Sequence, residues 1–210
     1  MTRVILTRHG EVEGIDPPRF RGRMELALTD TGRKQVAITA RAIAARWKPS
    51  TVYCSPMGRC RETAAAIAAA CALGPAEVLD GLNDFDYGDC QWKTHDEVRA
   101  EAPAFFDLWR RAPQLVRFPG GESLQDVVAR ASDALRMVVE RHREDTVVMV
   151  GHDSVNRALL LQLIDQPLSA FSRIVQDPCG INELEIVGAA IHARTLNETG
   201  HLFAGIEDSP

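Results

Sequence analysis

Two histidines stand just past the ends of short apolar runs, in Val4-Ile5-Leu6-Thr7-Arg8-His9-Gly10 and in Val147-Val148-Met149-Val150-Gly151-His152. An imidazole titrates near neutral pH and can serve as nucleophile or proton carrier. If both runs are neighbouring strands of an open α/β sheet, both rings lie beyond its carboxyl edge, where such sheets bind ligands. Arginines keep them company. Arg8 adjoins His9, Arg59 and Arg61 follow another apolar run, and Arg19, Arg21 and Arg23 crowd the loop after His9. Guanidinium forks match phosphate oxygens, so these residues are candidate phosphate clamps. Position beside a strand end favours Arg8 and Arg59; several of the others read as solvated. His95, His142, His192 and His201 lack such company and read as packing or surface residues. No H-x-x-x-H or paired-cysteine spacing is present, so the sequence offers no metal ligand set.

The elements that must position these residues follow from periodicity. Arg3 to Thr7 reads as a buried strand, with a polar loop up to Thr29. From Thr31-Gly32 onward, Val36, Ala40, Ile43 and Trp47 recur at helical spacing, and Pro49 stops that helix. Thr51 to Cys54 is a second strand, and Ser55-Pro56 opens a helix with Ala64, Ile67, Ala68 and Cys71 on one face, ended by Gly74-Pro75. Leu82 to Pro119 is less regular. Thr94-x-x-Glu97 has the form of a capping box there, and Phe105, Phe106 and Trp109 can anchor a short helix. Ser123 begins a long helix with Leu124, Val127, Ala131, Leu135 and Val138 on one face. Thr146 to Val150 is an apolar strand, and Asp153 or Ser154 can cap the helix that follows it, through Leu163. Ile181 to Val187 and Ala189 to Leu196 read as closing strands. The fold class is α/β with helices on both faces of the sheet.

Composition narrows the field. Across 210 residues the apolar positions, 45% of the chain, are evenly spread with no linker or repeat, which predicts one domain over 1–210, with Gly205 to Pro210 as a loose tail. The net charge of −5 disfavours nucleic acid or an anionic membrane as partner, so any anion site must be local. No stretch approaches a membrane span or a signal segment, and five cysteines without a C-x-x-C pair suit reduced thiols. Both point to the cytoplasm.

Leu6-Thr7-Arg8-His9-Gly10-Glu11 is followed in order by Arg19-Phe20-Arg21-Gly22, Leu28-Thr29-x-x-Gly32 and Ser55-Pro56-Met57-Gly58-Arg59-Cys60-Arg61-Glu62-Thr63-Ala64. Next come Leu82-Asn83-Asp84-Phe85-Asp86-Tyr87-Gly88-Asp89, Pro119-Gly120-Gly121-Glu122-Ser123 and Gly151-His152. In this series the chain resembles, over nearly its full length, the histidine phosphatase superfamily, in the branch of phosphoglycerate mutases and small phosphatases such as α-ribazole-phosphate phosphatase. The resemblance implies a three-layer α/β/α sandwich around a mostly parallel mixed sheet, with a lid-like insertion at about 89–118. It implies His9 as nucleophile, Arg8, Arg59 and His152 around the phosphoryl group, and Asp84 in the position of the general acid. Arg21, Gly22 and Glu11 fall in the matched segments as substrate-binding candidates. Neither metal nor cofactor is called for; the expected partner is a small phosphorylated substrate, and a homodimer is an expectation of the resemblance alone.

The chain also departs from the family. Asp84 stands where glutamate is usual, Gly14-Ile15-Asp16-Pro17 where an asparagine often helps to hold phosphate, and Asp153 where glycine often follows the second histidine. The position after His152 suits a helix cap better than a substrate contact. The expected activity is hydrolysis of small phosphate monoesters through a phosphohistidine, ahead of a mutase, for which 210 residues is short, and of a silent phosphate-ester-binding module.

Overall fold

The computed structural model describes residues 1–203; the tail predicted at 205–210 lies outside them. Its centre is a six-stranded sheet in the order β3-β2-β4-β1-β5-β6. The strands are β1 (Thr2–Arg8), β2 (Thr51–Cys54), β3 (Glu77–Val78), β4 (Thr146–Gly151), β5 (Ile181–Val187) and β6 (Ala190–Glu198). The four strands from β3 to β1 run parallel, while β5 is antiparallel to β1 and to β6. Alternation along the central strands sends side chains to both faces. Val4, Leu6, Val147 and Met149 pack with α5 (Leu124–Arg141) and α6 (Asp153–Leu163) on one side. Ile5, Val148 and Val150 pack with α1 (Asp30–Trp47) and α2 (Gly58–Ala70) on the other. A strand apolar on both faces has no wet side, which is why β1 and β4 read as unbroken apolar runs.

The parallel register places the chemistry. Arg8 lies opposite Gly151 in the β1–β4 ladder, so the next residues, His9 and His152, leave the sheet side by side. The His9 amide donates to the Gly151 carbonyl at 3.1 Å, and Ser55, just past β2, donates its amide to Val150 at 3.0 Å. Three adjacent strand ends therefore deliver His9, His152 and Ser55 to one edge. α1 starts behind them, with Thr29 as N-cap accepting from the Gly32 amide at 2.9 Å. A Cβ on Gly10 would sit 2.6 Å from the Gly32 carbonyl oxygen, so only glycine lets the His9 loop close against that helix.

Several boundaries differ from the sequence reading, each for a local reason. α2 begins at Gly58 rather than Ser55-Pro56, because the Ser55 hydroxyl is engaged with His152 and the Met57 amide. It ends at Ala70, before Gly74-Pro75, because Ala72 turns left-handed at φ 54°. The capping position of α6 is His152 itself; Asp153 sits in the first turn, paired with Arg157, and does not cap. Two-residue β3 carried too little periodicity to be predicted. The capping box at Thr94 and Glu97 is present and opens α3 (His95–Glu101), followed by α4 (Pro103–Arg111). Phe106, Trp109, Val116 and Phe118 from this stretch pack into the α5 side of the core, with Phe118 wholly buried among Phe20, Phe85, Tyr87, Phe105 and Trp109. Among the described residues no helix is long and apolar enough to cross a membrane.

Candidate active site

His9 is 2% exposed at the floor of a cleft of about 400 Å³. Its Nδ1 lies 2.7 Å from the Gly10 carbonyl oxygen. A carbonyl can only accept, so the proton sits on Nδ1 and Nε2 keeps its lone pair. The Arg59 Nε–H donates to that nitrogen at 3.2 Å. Burial first, then the neighbouring His152, Arg8 and Arg59, pushes the His9 pKa well below its usual 6.5. The ring is therefore neutral at neutral pH, with an oriented lone pair, as a nitrogen nucleophile requires.

Arg59, wholly buried at the start of α2, is fixed by three further acceptors besides His9. Its Nη1 donates to the Met24 carbonyl and its Nη2 to the Gly22 carbonyl, each at 2.8 Å, and Nη2 also meets Asp84 Oδ2 at 2.7 Å. Gly22 takes φ +48°, the left-handed region that turns its carbonyl to Arg59. Arg8, 5% exposed, gives Nη1 to the Gln176 carbonyl at 2.6 Å, but its Nε and Nη2 are buried without a partner among the described residues. Unpaired buried donors on a cation are expensive. Burial lowers the Arg8 pKa, partly offset by Asp153 and Asp84. An anion bound at the His9 floor would satisfy both groups.

His152, 1% exposed, sits 5.2 Å from His9 between ring centroids, at an interplanar angle of 66°. Its Nδ1 lies 3.2 Å from Asp84 Oδ2 and its Nε2 2.8 Å from Ser55 Oγ. Burial, then Arg59, Arg130 and Arg8, pushes its pKa well below 6.5. The neutral ring donates from Nδ1 to Asp84 and accepts from Ser55.

Asp84 is held from both ends. Its Oδ1 accepts from the Phe85 amide at 2.8 Å while Oδ2 takes Arg59 and His152. Its main chain is strapped down by Arg130, which donates to the carbonyls of Gly81, Asn83 and Asp84 and pairs with Glu122, and by Arg23, which donates to the Asp84 carbonyl and pairs with Asp86 and Glu122. These straps hold the loop so that the Asp84 carboxylate meets Arg59 and His152.

The structure brings His9, Arg8, Asp84, His152, Arg21 and Gly22 together, with Arg59 bonded to His9 and Asp84 behind them. Glu11 is elsewhere: its carboxylate accepts from Thr29 Oγ1 at 2.7 Å and steadies the start of α1. Arg61 is exposed and away from this cleft. Asp153, read from sequence as a cap, lines the cleft instead. Ser55, Arg130 and Tyr87 were not site candidates in the sequence, and His95, read there as packing or surface, and Ser154, read as a possible cap, both line the cleft. Only Ser55 carried a local signal, its place at a strand end; the others arrive through tertiary contact, as when Tyr87 meets Ser154 at 2.6 Å.

An oriented imidazole among buried arginines at the carboxyl edge of a doubly covered sheet is a phosphoryl-transfer site. A family model described as histidine phosphatase superfamily (branch 1) matches residues 4–199. The chain is 35% identical over 204 residues to phosphoserine phosphatase 1 of Hydrogenobacter thermophilus, covering 96% of this chain and 95% of that protein. It is 31% identical over 168 residues to the metal-independent phosphoserine phosphatase of Arabidopsis thaliana, covering 78% and 69%. The solved structure of Bacillus stearothermophilus YhfR matches at a TM-score of 0.89 and 30% identity, over 96% of this chain and 100% of that one. The chain belongs to branch 1 of the histidine phosphatase superfamily, and its activity is that of a phosphatase.

Proposed function

We propose that this enzyme hydrolyses small phosphate monoesters without a metal ion, through a phosphohistidine on His9. The observation that carries this is the pairing of an unprotonated His9 Nε2, held by the Arg59 Nε–H, with the two N–H donors of buried Arg8 that have no partner among the described residues. The lone pair attacks phosphorus in line with the ester oxygen, forming the N–P bond as the P–O bond breaks. Arg8 and Arg59 stabilise the equatorial oxygens, joined by the His152 ring when its Nδ1–H turns from Asp84 to the phosphoryl group. Asp84 gives its proton to the departing alkoxide, then takes one from the water that cleaves the phosphohistidine. The stretch 89–118, which contributes His95, Trp109, Arg110 and Pro113 to the cleft wall, acts as the lid-like part of a single domain. Five free thiols support a reducing, cytoplasmic setting.

Brief exposure to a labelled ester followed by quenching tests the mechanism. The expected adduct is lost in acid, survives base as a phosphoramidate does, and is absent from His9→Ala. A base-labile adduct, or label retained in that variant, overturns the assignment. Turnover of a monoester panel, beginning with phosphoserine, the substrate named for two relatives, and including 3-phosphoglycerate, separates phosphatase from mutase; full activity in chelator is expected.

A further inference from the structure

Of the three guanidinium nitrogens of Arg8, only Nη1 has an acceptor among the described residues, the main-chain carbonyl of Gln176 at 2.6 Å. That one bond sets where the other donors point, so the carbonyl must itself be held. It stands in the loop 174–180 that leads into β5, where Val175 is 55% exposed while Gln176 is 1% exposed. The Gln176 side chain turns into the fold and pairs with that of Asn182, wholly buried on β5. Asn182 Nδ2 donates to Gln176 Oε1 at 2.8 Å, and Gln176 Nε2 donates to Asn182 Oδ1 at 2.9 Å. Asn182 Nδ2 also donates to the Leu6 carbonyl, and its Oδ1 also accepts from the Asn197 amide, each at 2.9 Å. A carbonyl only accepts and an amide N–H only donates, so both side-chain amides have one permitted orientation. Gln176 Nε2 adds a bond to the Val175 carbonyl at 2.9 Å.

We infer that Gln176 and Asn182 are positioning residues for phosphoryl transfer: their paired amides fix the Gln176 carbonyl, which aims the free N–H donors of Arg8 at the phosphoryl oxygens. The inference rests on the proposed role of Arg8 at the phosphoryl group. Leu6 lies two residues before Arg8 on β1, so the carbonyl that aims the guanidinium is tied to the strand that carries it. Asn156, in the first turn and a half of α6 after His152, reaches Gln176 Oε1 at 3.5 Å and extends the lattice toward the second histidine. Amides suit this task because each supplies donor and acceptor without charge. A carboxylate at either position would set a negative charge against the phosphate that Arg8 attracts.

Single-turnover phosphorylation by p-nitrophenyl phosphate tests this, because its leaving group needs no proton from Asp84 and the rate constant is independent of how much of the enzyme is folded. Asn182→Leu and Gln176→Met keep the side-chain shape and delete the amide. Each should slow phosphorylation by about 10- to 100-fold, the scale of a small misplacement of a reacting group. Introduced into Arg8→Met, either substitution should cost less than about twofold, since no guanidinium is left to aim. A residue that only supports the fold would give the same loss in both backgrounds. Equal losses in the two backgrounds, no loss from either substitution, or failure of both variants to fold overturns the inference, the last by assigning the amides to stability alone. If one variant does not fold, the other decides. Phosphorylation by Arg8→Met at the unsubstituted rate overturns the role of Arg8 and this inference with it, whereas a slow Arg8→Met beside fast amide variants overturns the inference alone.

Discussion

Replacing Asp84 with asparagine separates two tasks that one carboxyl group performs. Asp84 Oδ2 is 2.7 Å from Arg59 Nη2, and the Nε of the same guanidinium faces His9. A phosphoryl oxygen on that face would stand roughly 4 Å from the carboxylate, and two unit charges at that distance repel by about 4 kcal/mol at an effective dielectric of about 20. The substrate's own charge thus favours a proton on the carboxyl group, the proton later given to the leaving group. Asp84→Asn removes both the charge and the transferable proton. For alkyl phosphates, whose alkoxides need protonation, the phosphorylation rate should fall by about 10²- to 10⁴-fold. For p-nitrophenyl phosphate, whose phenolate leaves unaided, the loss should be below about tenfold, and vanadate should bind at least as tightly as before. Single-turnover kinetics across a leaving-group series, with calorimetry in buffers of different ionisation enthalpy to count protons taken up, provide the assay. Equal losses on alkyl and nitrophenyl esters, or no difference in proton uptake between the two proteins, would refute the reasoning.

Three further outcomes are expected. Arg8→Met should lower kcat by about 10²- to 10³-fold, the usual loss of a transition-state donor, yet raise Tm, because it removes a buried cation with two unpaired donors; thermal denaturation beside steady-state kinetics checks both. Stability should decline as pH falls below about 6.5: His9 and His152 have depressed pKa values in the fold, so the unfolded chain binds more protons there. Chemical denaturation at a series of pH values reads the slope, which should flatten in His9→Asn, and the acid limb of kcat/KM should likewise lie below 6.5. Phe118→Ala, which empties a wholly buried aromatic site, should cost about 3–5 kcal/mol with Tm down by roughly 10 °C, measured by calorimetry.

Much of the fold was legible because its signals are local. The apolar runs of β1 and β4, the spacing of α1 and α5, and the Thr94 and Ser123 starts are properties of a few consecutive residues, and the structure realises each. His9, Arg8, Arg59 and His152 were legible for the same reason, since each stands at or just after the end of a strand, and strand ends are where an α/β sheet exposes chemistry. β3 and the true start of α2 were not, because two residues carry no period and the Ser55 hydroxyl is claimed by a ring 97 positions away.

By itself the sequence determined the residue types, their order and the strand ends that carry them, and from these the chemistry of His9. Tertiary structure alone decided three things: that β1 and β4 are neighbours in register, so that two histidines 143 positions apart share one floor; that Glu11 serves α1 while Asp153 faces the cleft; and that Asp84 reaches Arg59 and His152. The physical reason is common to all three. A side chain's type is written in the chain, but its partner is fixed by sheet register and by straps such as Arg130 and Arg23, which act across tens of residues and leave no periodic trace.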